Sequence, residues 1–109
     1  MDFFEYQSLA QETADYPRIG DFCIYPALGL CGEAGEVAEK IKKIFRDHDG
    51  IFSSDDVEGL KKELGDVLWY IAMLSTELGL SLDEVAQTNI DKLSSRKARG
   101  QLHGSGDER

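Results

Sequence analysis

The sequence predicts an all-α protein: a single domain of four helices with a four-helix bundle-like architecture. Apolar residues recur at helical spacing along the chain, and no segment alternates apolar and polar residues as a half-buried strand does. Short polar connections containing glycine, proline or aspartate separate the amphipathic segments. A chain of 109 residues fits one domain with a modest core. We assign residues 1–99 to this domain and residues 100–109 to a glycine-rich, mobile C-terminal tail.

The first two helices are predicted over residues 2–14 and 27–46. Asp2 stands three residues before Glu5, which is the spacing of a capping box at a helix N-terminus. The loop between these helices contains two prolines, a glycine and three aromatic residues, Tyr16, Phe22 and Tyr25. These aromatic side chains suit either packing within the fold or a wall against which a flat nucleobase stacks.

The third helix is predicted over residues 55–78, and the fourth begins shortly afterwards. Ser53 or Ser54 can cap the third helix, and a glycine follows its last apolar residue. Ser81 and Glu84 form a clear capping box for the fourth helix. The boundaries of both helices therefore follow from local side-chain chemistry.

Two pairs of acidic residues give the chain its most specific chemical pattern. Glu33 and Glu36 lie three residues apart on the second helix, and Glu63 and Asp66 repeat this spacing on the third. Residues three apart occupy neighbouring turns of one helix face. If the two helices are neighbours, four carboxylates converge, and a hard divalent cation is the usual means of relieving their repulsion.

A single pair of acids at this spacing usually belongs to a solvated helix face. Each pair here also encloses a glycine, Gly35 or Gly65, in a helix interior. Glycine costs roughly 1 kcal/mol relative to alanine at such a position. Its presence is understandable if another backbone or a ligand must come close, which favours the functional interpretation.

Polar residues on the last two helices are candidates for contacting a bound anion. The stripe through the start of the fourth helix continues as Asn89, Lys92 and Arg96, and a buried basic group needs an anionic partner. Tyr70 lies four residues after Asp66, so its hydroxyl could reach a phosphate or a sugar. The alternatives are a helix end that emerges into water and an interfacial tyrosine with a hydrated hydroxyl group.

The composition excludes several classes of protein. A formal net charge of −9 argues against general binding to nucleic acids or membrane surfaces. No apolar run approaches a membrane span, and no signal peptide begins the chain, so we expect a cytoplasmic protein. Cys23 and Cys31 form no CxxC motif and are expected to be reduced thiols.

Four segments together resemble the MazG-like all-α nucleoside triphosphate pyrophosphohydrolases: residues 28–37, 63–70, 89–93 and 99–107. The resemblance implies hydrolysis of nucleoside triphosphates, deoxynucleotides in particular, to the monophosphate and pyrophosphate, as house-cleaning of the nucleotide pool. It implies Mg²⁺, or Mn²⁺ in its place, and a homodimer or dimer-based homotetramer whose sites borrow residues from a neighbour. The metal-binding and catalytic residues would be Glu33, Glu36, Glu63 and Asp66. The substrate-binding residues would be Tyr70, Asn89, Lys92 and Arg96.

One position departs from the pattern of many relatives, which carry an additional glutamate where this chain has Gly32. Activation of the attacking water then falls to the metal or to a carboxylate already in the site. Two alternatives remain open at this point. The same fold could act on phosphoribosyl-ATP or on a guanosine tetraphosphate alarmone, or the chain could be a non-catalytic helical module that binds metal or a partner.

Overall fold

A computed structural model describes all 109 residues and contains four α-helices and no strand, which confirms the all-α prediction. The helices are α1 (Phe3–Glu12), α2 (Ile24–His48), α3 (Ser54–Glu77) and α4 (Leu82–Ala98). None of these helices combines the length and the apolar character that crossing a membrane requires.

Side-chain caps begin three of the four helices as predicted. The Asp2 carboxylate accepts a hydrogen bond from the backbone N–H of Glu5, and reciprocal capping boxes join Ser53 to Asp56 and Ser81 to Glu84. The predicted start of α2 at residue 27 was wrong. The helix begins three residues earlier, at Ile24, and includes Pro26. Proline is tolerated in a first helical turn, where its missing N–H would have no intrahelical acceptor.

Helix α3 lies at the centre of the fold. It packs against α2 along one side and against α1 and α4 elsewhere, while α1 and α4 also contact each other. Helix α2 packs against neither α1 nor α4. The result is a long α2–α3 pair with two shorter helices attached to α3, rather than a closed bundle in which every helix has two neighbours.

The buried apolar core is small and lies where α1, α3 and α4 meet. Its buried members are Ala10, Ala72, Met73 and Leu82. The radius of gyration is 16.8 Å, whereas about 13 Å is usual for a compact domain of this length. The chain is therefore open in shape and leaves much of its apolar surface exposed to solvent.

The C-terminal segment, residues 100–109, folds back onto the end of α4. The guanidinium of Arg96, only 4% exposed, donates hydrogen bonds to the carbonyl oxygens of Gly106 and Asp107. The carboxylate of Asp107 also lies 3.6 Å from both Arg96 Nη2 and Lys92 Nζ. The mobility predicted for this tail stays a prediction, and motion of the tail would have to break these contacts.

Candidate metal and nucleotide site

Three of the four predicted acids come together between α2 and α3. One carboxylate oxygen from each of Glu33, Glu63 and Asp66 lies within 4.8 Å of the others. Glu33 and Glu63 are half-buried, whereas Asp66 is exposed. The two acidic pairs meet because α2 and α3 pack along their lengths, with Glu33 on one helix and Glu63 and Asp66 on the other.

The fourth acid, Glu36, is exposed and is not one of the three whose oxygens converge. Its charge still acts on the group. Burial raises the pKa of Glu33 above its usual value, and the negative charges of Asp66, Glu63 and Glu36 raise it further. Closely spaced carboxylates that oppose one another's ionisation form the donor set that a hard divalent cation stabilises. These residues therefore fit Mg²⁺ or Mn²⁺.

A lysine that we did not single out from the sequence also belongs to this group. Lys40 Nζ lies 3.3 Å from Glu63 Oε1. The residue follows Glu36 by four positions and Glu33 by seven, so the helical repeat places it on the same face of α2. That spacing was the available signal, and only the packing of α3 against this face reveals the acidic partner.

Tyr70 lies near the carboxylates and packs against Gly29 of α2. A side-chain carbon added at Gly29 would overlap the Tyr70 ring, so Gly29 makes room for this tyrosine. Burial raises the pKa of Tyr70, and the nearby Tyr25, Glu33 and Asp66 contribute to this rise. Tyr70 is thus close to the acidic group, and its role in binding substrate stays a prediction.

The glycines within the acidic pairs behave differently from Gly29. Nothing lies within 4 Å of a side-chain carbon built at Gly35 or Gly65. The close approach that we expected these two glycines to permit is therefore not made within this chain. Among these three glycines, only Gly29, four residues before Glu33, is in close contact with the other helix, through the Tyr70 ring.

Of the three aromatic residues that we assigned to the loop before α2, Tyr16 lies in that loop and Tyr25 in the first turn of α2, and both lie beside the carboxylate of Glu77 at the end of α3. The rings of Tyr16 and Tyr25 are stacked in parallel, with their centroids 4.9 Å apart. Glu77 accepts hydrogen bonds from the Tyr16 hydroxyl and, at 2.6 Å, from the backbone N–H of Cys23. These residues line a cavity of about 200 Å³ together with Pro17, Arg18, Ile19 and Asp21. Phe22 is exposed, and both cysteines are free thiols.

The polar stripe on α4 forms no ion pair with the acidic group within one chain, although α4 packs against α3. Asn89 is exposed, and both Lys92 and Arg96 pair with the carboxylate of Asp107 in the tail. Helix α4 also has no packing contact with α2, which carries Glu33. Arg96 Nε is buried without a hydrogen-bond partner. The substrate-binding role of Asn89, Lys92 and Arg96 stays a prediction. It requires either that they bind an anion away from the acidic group of their own chain or that they serve a site elsewhere.

Comparison with known proteins assigns the sequence to a family. The MazG nucleotide pyrophosphohydrolase domain matches residues 27–100, a segment that includes both acidic pairs and the polar stripe of α4. The chain is also similar to the Gene 37 protein of Mycobacterium phage L5, with 49% identity over 109 residues, covering 95% of this chain and 96% of that protein. No solved structure matches it. The chain belongs to the MazG nucleotide pyrophosphohydrolase domain family.

Proposed function

We propose that the protein hydrolyses nucleoside triphosphates between the α and β phosphates, in a reaction that requires Mg²⁺. Membership of the MazG family implies a nucleotide pyrophosphohydrolase with a nucleoside triphosphate substrate. We further propose that the enzyme prefers deoxynucleotides and releases the monophosphate and pyrophosphate. Its role would be house-cleaning of the nucleotide pool. Mn²⁺ is expected to replace Mg²⁺.

The observation that carries this proposal is the convergence of Glu33, Glu63 and Asp66 within 4.8 Å across two helices. In this proposal the three carboxylates, with Glu36 beside them, hold the cation at the α2–α3 junction. When bound, a divalent ion would neutralise the triphosphate and lower the pKa of water, so that hydroxide becomes available as the nucleophile at neutral pH. Glu36, exposed next to the group, is free to orient that water or to complete the ligand set.

The open shape of the chain supports an oligomer whose copies share their sites. Large apolar side chains remain exposed on α2, α3, α4 and the α2–α3 connection: Leu28, Phe45, Ile51, Phe52, Val57, Leu64, Ile90 and Leu93. A homodimer, or a homotetramer built from dimers, would bury part of this surface. Because α4 does not reach α2 in its own chain, we propose that Asn89, Lys92 and Arg96 serve the site of a neighbouring copy.

The proposed activity is tested by measuring pyrophosphate release from all common ribo- and deoxyribonucleoside triphosphates, with Mg²⁺ and with chelator. Glu63→Gln removes one converging carboxylate and is expected to abolish turnover. Glu58→Gln is the matched control, because Glu58 is an exposed acid of the same helix that pairs only with Lys61. The proposal is supported if the wild type releases pyrophosphate with Mg²⁺ but not with chelator, and if this activity is lost in Glu63→Gln and kept in Glu58→Gln.

The same assay separates the alternative functions. Turnover of phosphoribosyl-ATP or of an alarmone, with none of the nucleoside triphosphates, would assign a different substrate to the same site. Metal binding without any pyrophosphate release would indicate a non-catalytic metal-binding module. Full activity of Glu63→Gln would contradict the assignment of the metal site.

Sharing of sites between copies is tested by mixing two variants, one impaired and one inactive. Lys92→Ala is expected to lower kcat/KM about ten- to a hundredfold, the value of a charge-assisted hydrogen bond. If Lys92 serves a neighbour's site, mixed oligomers of Lys92→Ala and Glu63→Gln contain one intact composite site and regain part of the activity. Light scattering of the wild type checks that it is oligomeric. No recovery from a mixture shown to exchange subunits would contradict the shared site.

A further inference from the structure

Lys40 is the only basic residue that pairs with a member of the converging carboxylate group. Of all the ion pairs in the structure, only the one between Lys40 Nζ and Glu63 Oε1, at 3.3 Å, includes Glu33, Glu63 or Asp66. The Glu63 side chain is 17% exposed in this pair and the Lys40 side chain 43%. The Lys40 ammonium therefore lies at the solvent-exposed edge of the converging carboxylates, and its partner Glu63 is half-buried.

The Lys40 ammonium group lies close to two residues of α3, Gly59 and Glu63. A side-chain carbon built at Gly59, one turn before Glu63, would stand 3.7 Å from Lys40 Nζ. The lysine side chain thus extends from α2 across to the surface of α3. It reaches the backbone of one α3 turn and the carboxylate of the next.

The three converging carboxylates of Glu33, Glu63 and Asp66 need a positive charge beside them even when no metal is bound. Three carboxylate oxygens within 4.8 Å repel one another when ionised. Lys40 supplies one positive charge to this group, and it does so from a flexible four-carbon stem that can leave for solvent. A divalent cation held by Glu63 would repel an ammonium group on the same carboxylate, so the two cannot share it favourably.

We propose that Lys40 is an internal counter-ion of the metal site, which pairs with Glu63 while the site holds no metal and gives up that pair when a divalent cation binds. This inference rests on the proposed metal site. Lys40 would limit the affinity for metal, because its ion pair with Glu63 has to be broken when the cation binds. It would also stabilise the metal-free protein, because its positive charge relieves the repulsion among the acids.

The test compares Lys40→Met with Lys43→Met. Lys43 also lies on α2 and also pairs with a glutamate, Glu39 at 3.8 Å, which is outside the carboxylate group. The metal-free melting temperature and the Mn²⁺ dissociation constant are measured for both variants and the wild type, by thermal unfolding after chelation and by calorimetric titration. Lys40→Arg, which keeps the charge, is measured alongside.

Lys40→Met is expected to melt at a lower temperature without metal and to bind Mn²⁺ about two- to fivefold more tightly, the size of a half-exposed ion pair. Lys43→Met should leave the dissociation constant unchanged, and Lys40→Arg should restore the wild-type value. Unchanged or weaker Mn²⁺ binding by Lys40→Met, with normal binding by the wild type, overturns the role of Lys40 alone. A wild type that binds no Mn²⁺ overturns the metal site and this role together.

Discussion

Three glycines of the long helices differ in what their missing side chain permits. Gly29 faces the Tyr70 ring, and any larger residue there would displace the tyrosine from the α2–α3 junction. Gly35 and Gly65 lie inside the acidic pairs and face open space in a single chain. Glycine at position 29 is therefore explained by packing, whereas no contact within the chain requires glycine at positions 35 and 65.

Alanine substitutions separate these cases. Gly65→Ala is expected to raise the free energy of unfolding by up to about 1 kcal/mol, because alanine is the better helix former. Gly29→Ala is expected to lower it, since the Tyr70 ring must move. Chemical denaturation of the metal-free protein measures both. A destabilising Gly65→Ala would contradict the open space that the single chain leaves beside Gly65.

At the scale of the elements, the start of α2 depends on a residue from another helix. Its N-cap position, Cys23, provides no side-chain cap and has a positive φ of 67°. The carboxylate of Glu77, near the end of α3, instead accepts the backbone N–H of Cys23 and the hydroxyl of Tyr16. A negative charge at a helix N-terminus is favourable because of the helix dipole, so Glu77 both caps α2 and joins it to α3.

Tyr16→Phe tests this junction. Burial, together with the hydrogen bond to Glu77 and its negative charge, raises the pKa of Tyr16 to about 12, so the hydroxyl keeps its proton at neutral pH. Loss of this hydrogen bond should cost about 1–2 kcal/mol of unfolding free energy, because the acceptor is charged but the pair is only partly buried. Tyr25→Phe keeps the stacked ring and is the control. Equal effects in both variants would contradict the role of Glu77.

The capping box of α3 makes its stability depend on pH. The backbone N–H of Ser53 donates to the carboxylate of Asp56, and this bond lowers the pKa of Asp56. A carboxylate whose folded pKa is lowered contributes stability above its unfolded pKa, about 3.9, and that stability is lost as the pH falls through the lower folded value. Ser53→Ala should cost about 1 kcal/mol at neutral pH.

The pH dependence is checked by denaturing the wild type and Asp56→Asn between pH 7 and pH 2. The wild type should be the more stable at neutral pH, and its advantage should shrink as the pH falls below the usual aspartate range. An advantage that stays constant down to pH 2 would show that the ionised form of Asp56 is not what stabilises the cap.

For the whole molecule, the small core and the open shape make stability depend on what binds to the chain. Only eight of 109 residues are buried, so the core of a single copy contributes little, and a bound cation or a second copy contributes correspondingly more. The repelling carboxylates at the α2–α3 junction weaken the helix pair that holds most of the proposed site.

Metal binding is therefore expected to stabilise the protein measurably. A ligand that binds only the folded state at a hundredfold excess over its Kd adds about 2.7 kcal/mol. Protein stripped with chelator should melt at a higher temperature in millimolar Mg²⁺ or Mn²⁺, and Glu63→Gln should lose most of this increase. A melting temperature that does not respond to either ion would count against the metal site.

The sequence by itself determined the four helices, most of their ends, the two acidic pairs and, through the family resemblance, the class of reaction. These features depend on residues within one or two helical turns of one another, through periodicity, caps and motif spacing. Tertiary structure decided which side chains meet across helices. It paired Lys40 with Glu63, placed Tyr70 against Gly29, set Glu36 beside the converging acids and joined Arg96 to the tail. Such pairings depend on how the helices pack, and local spacing contains no information about that.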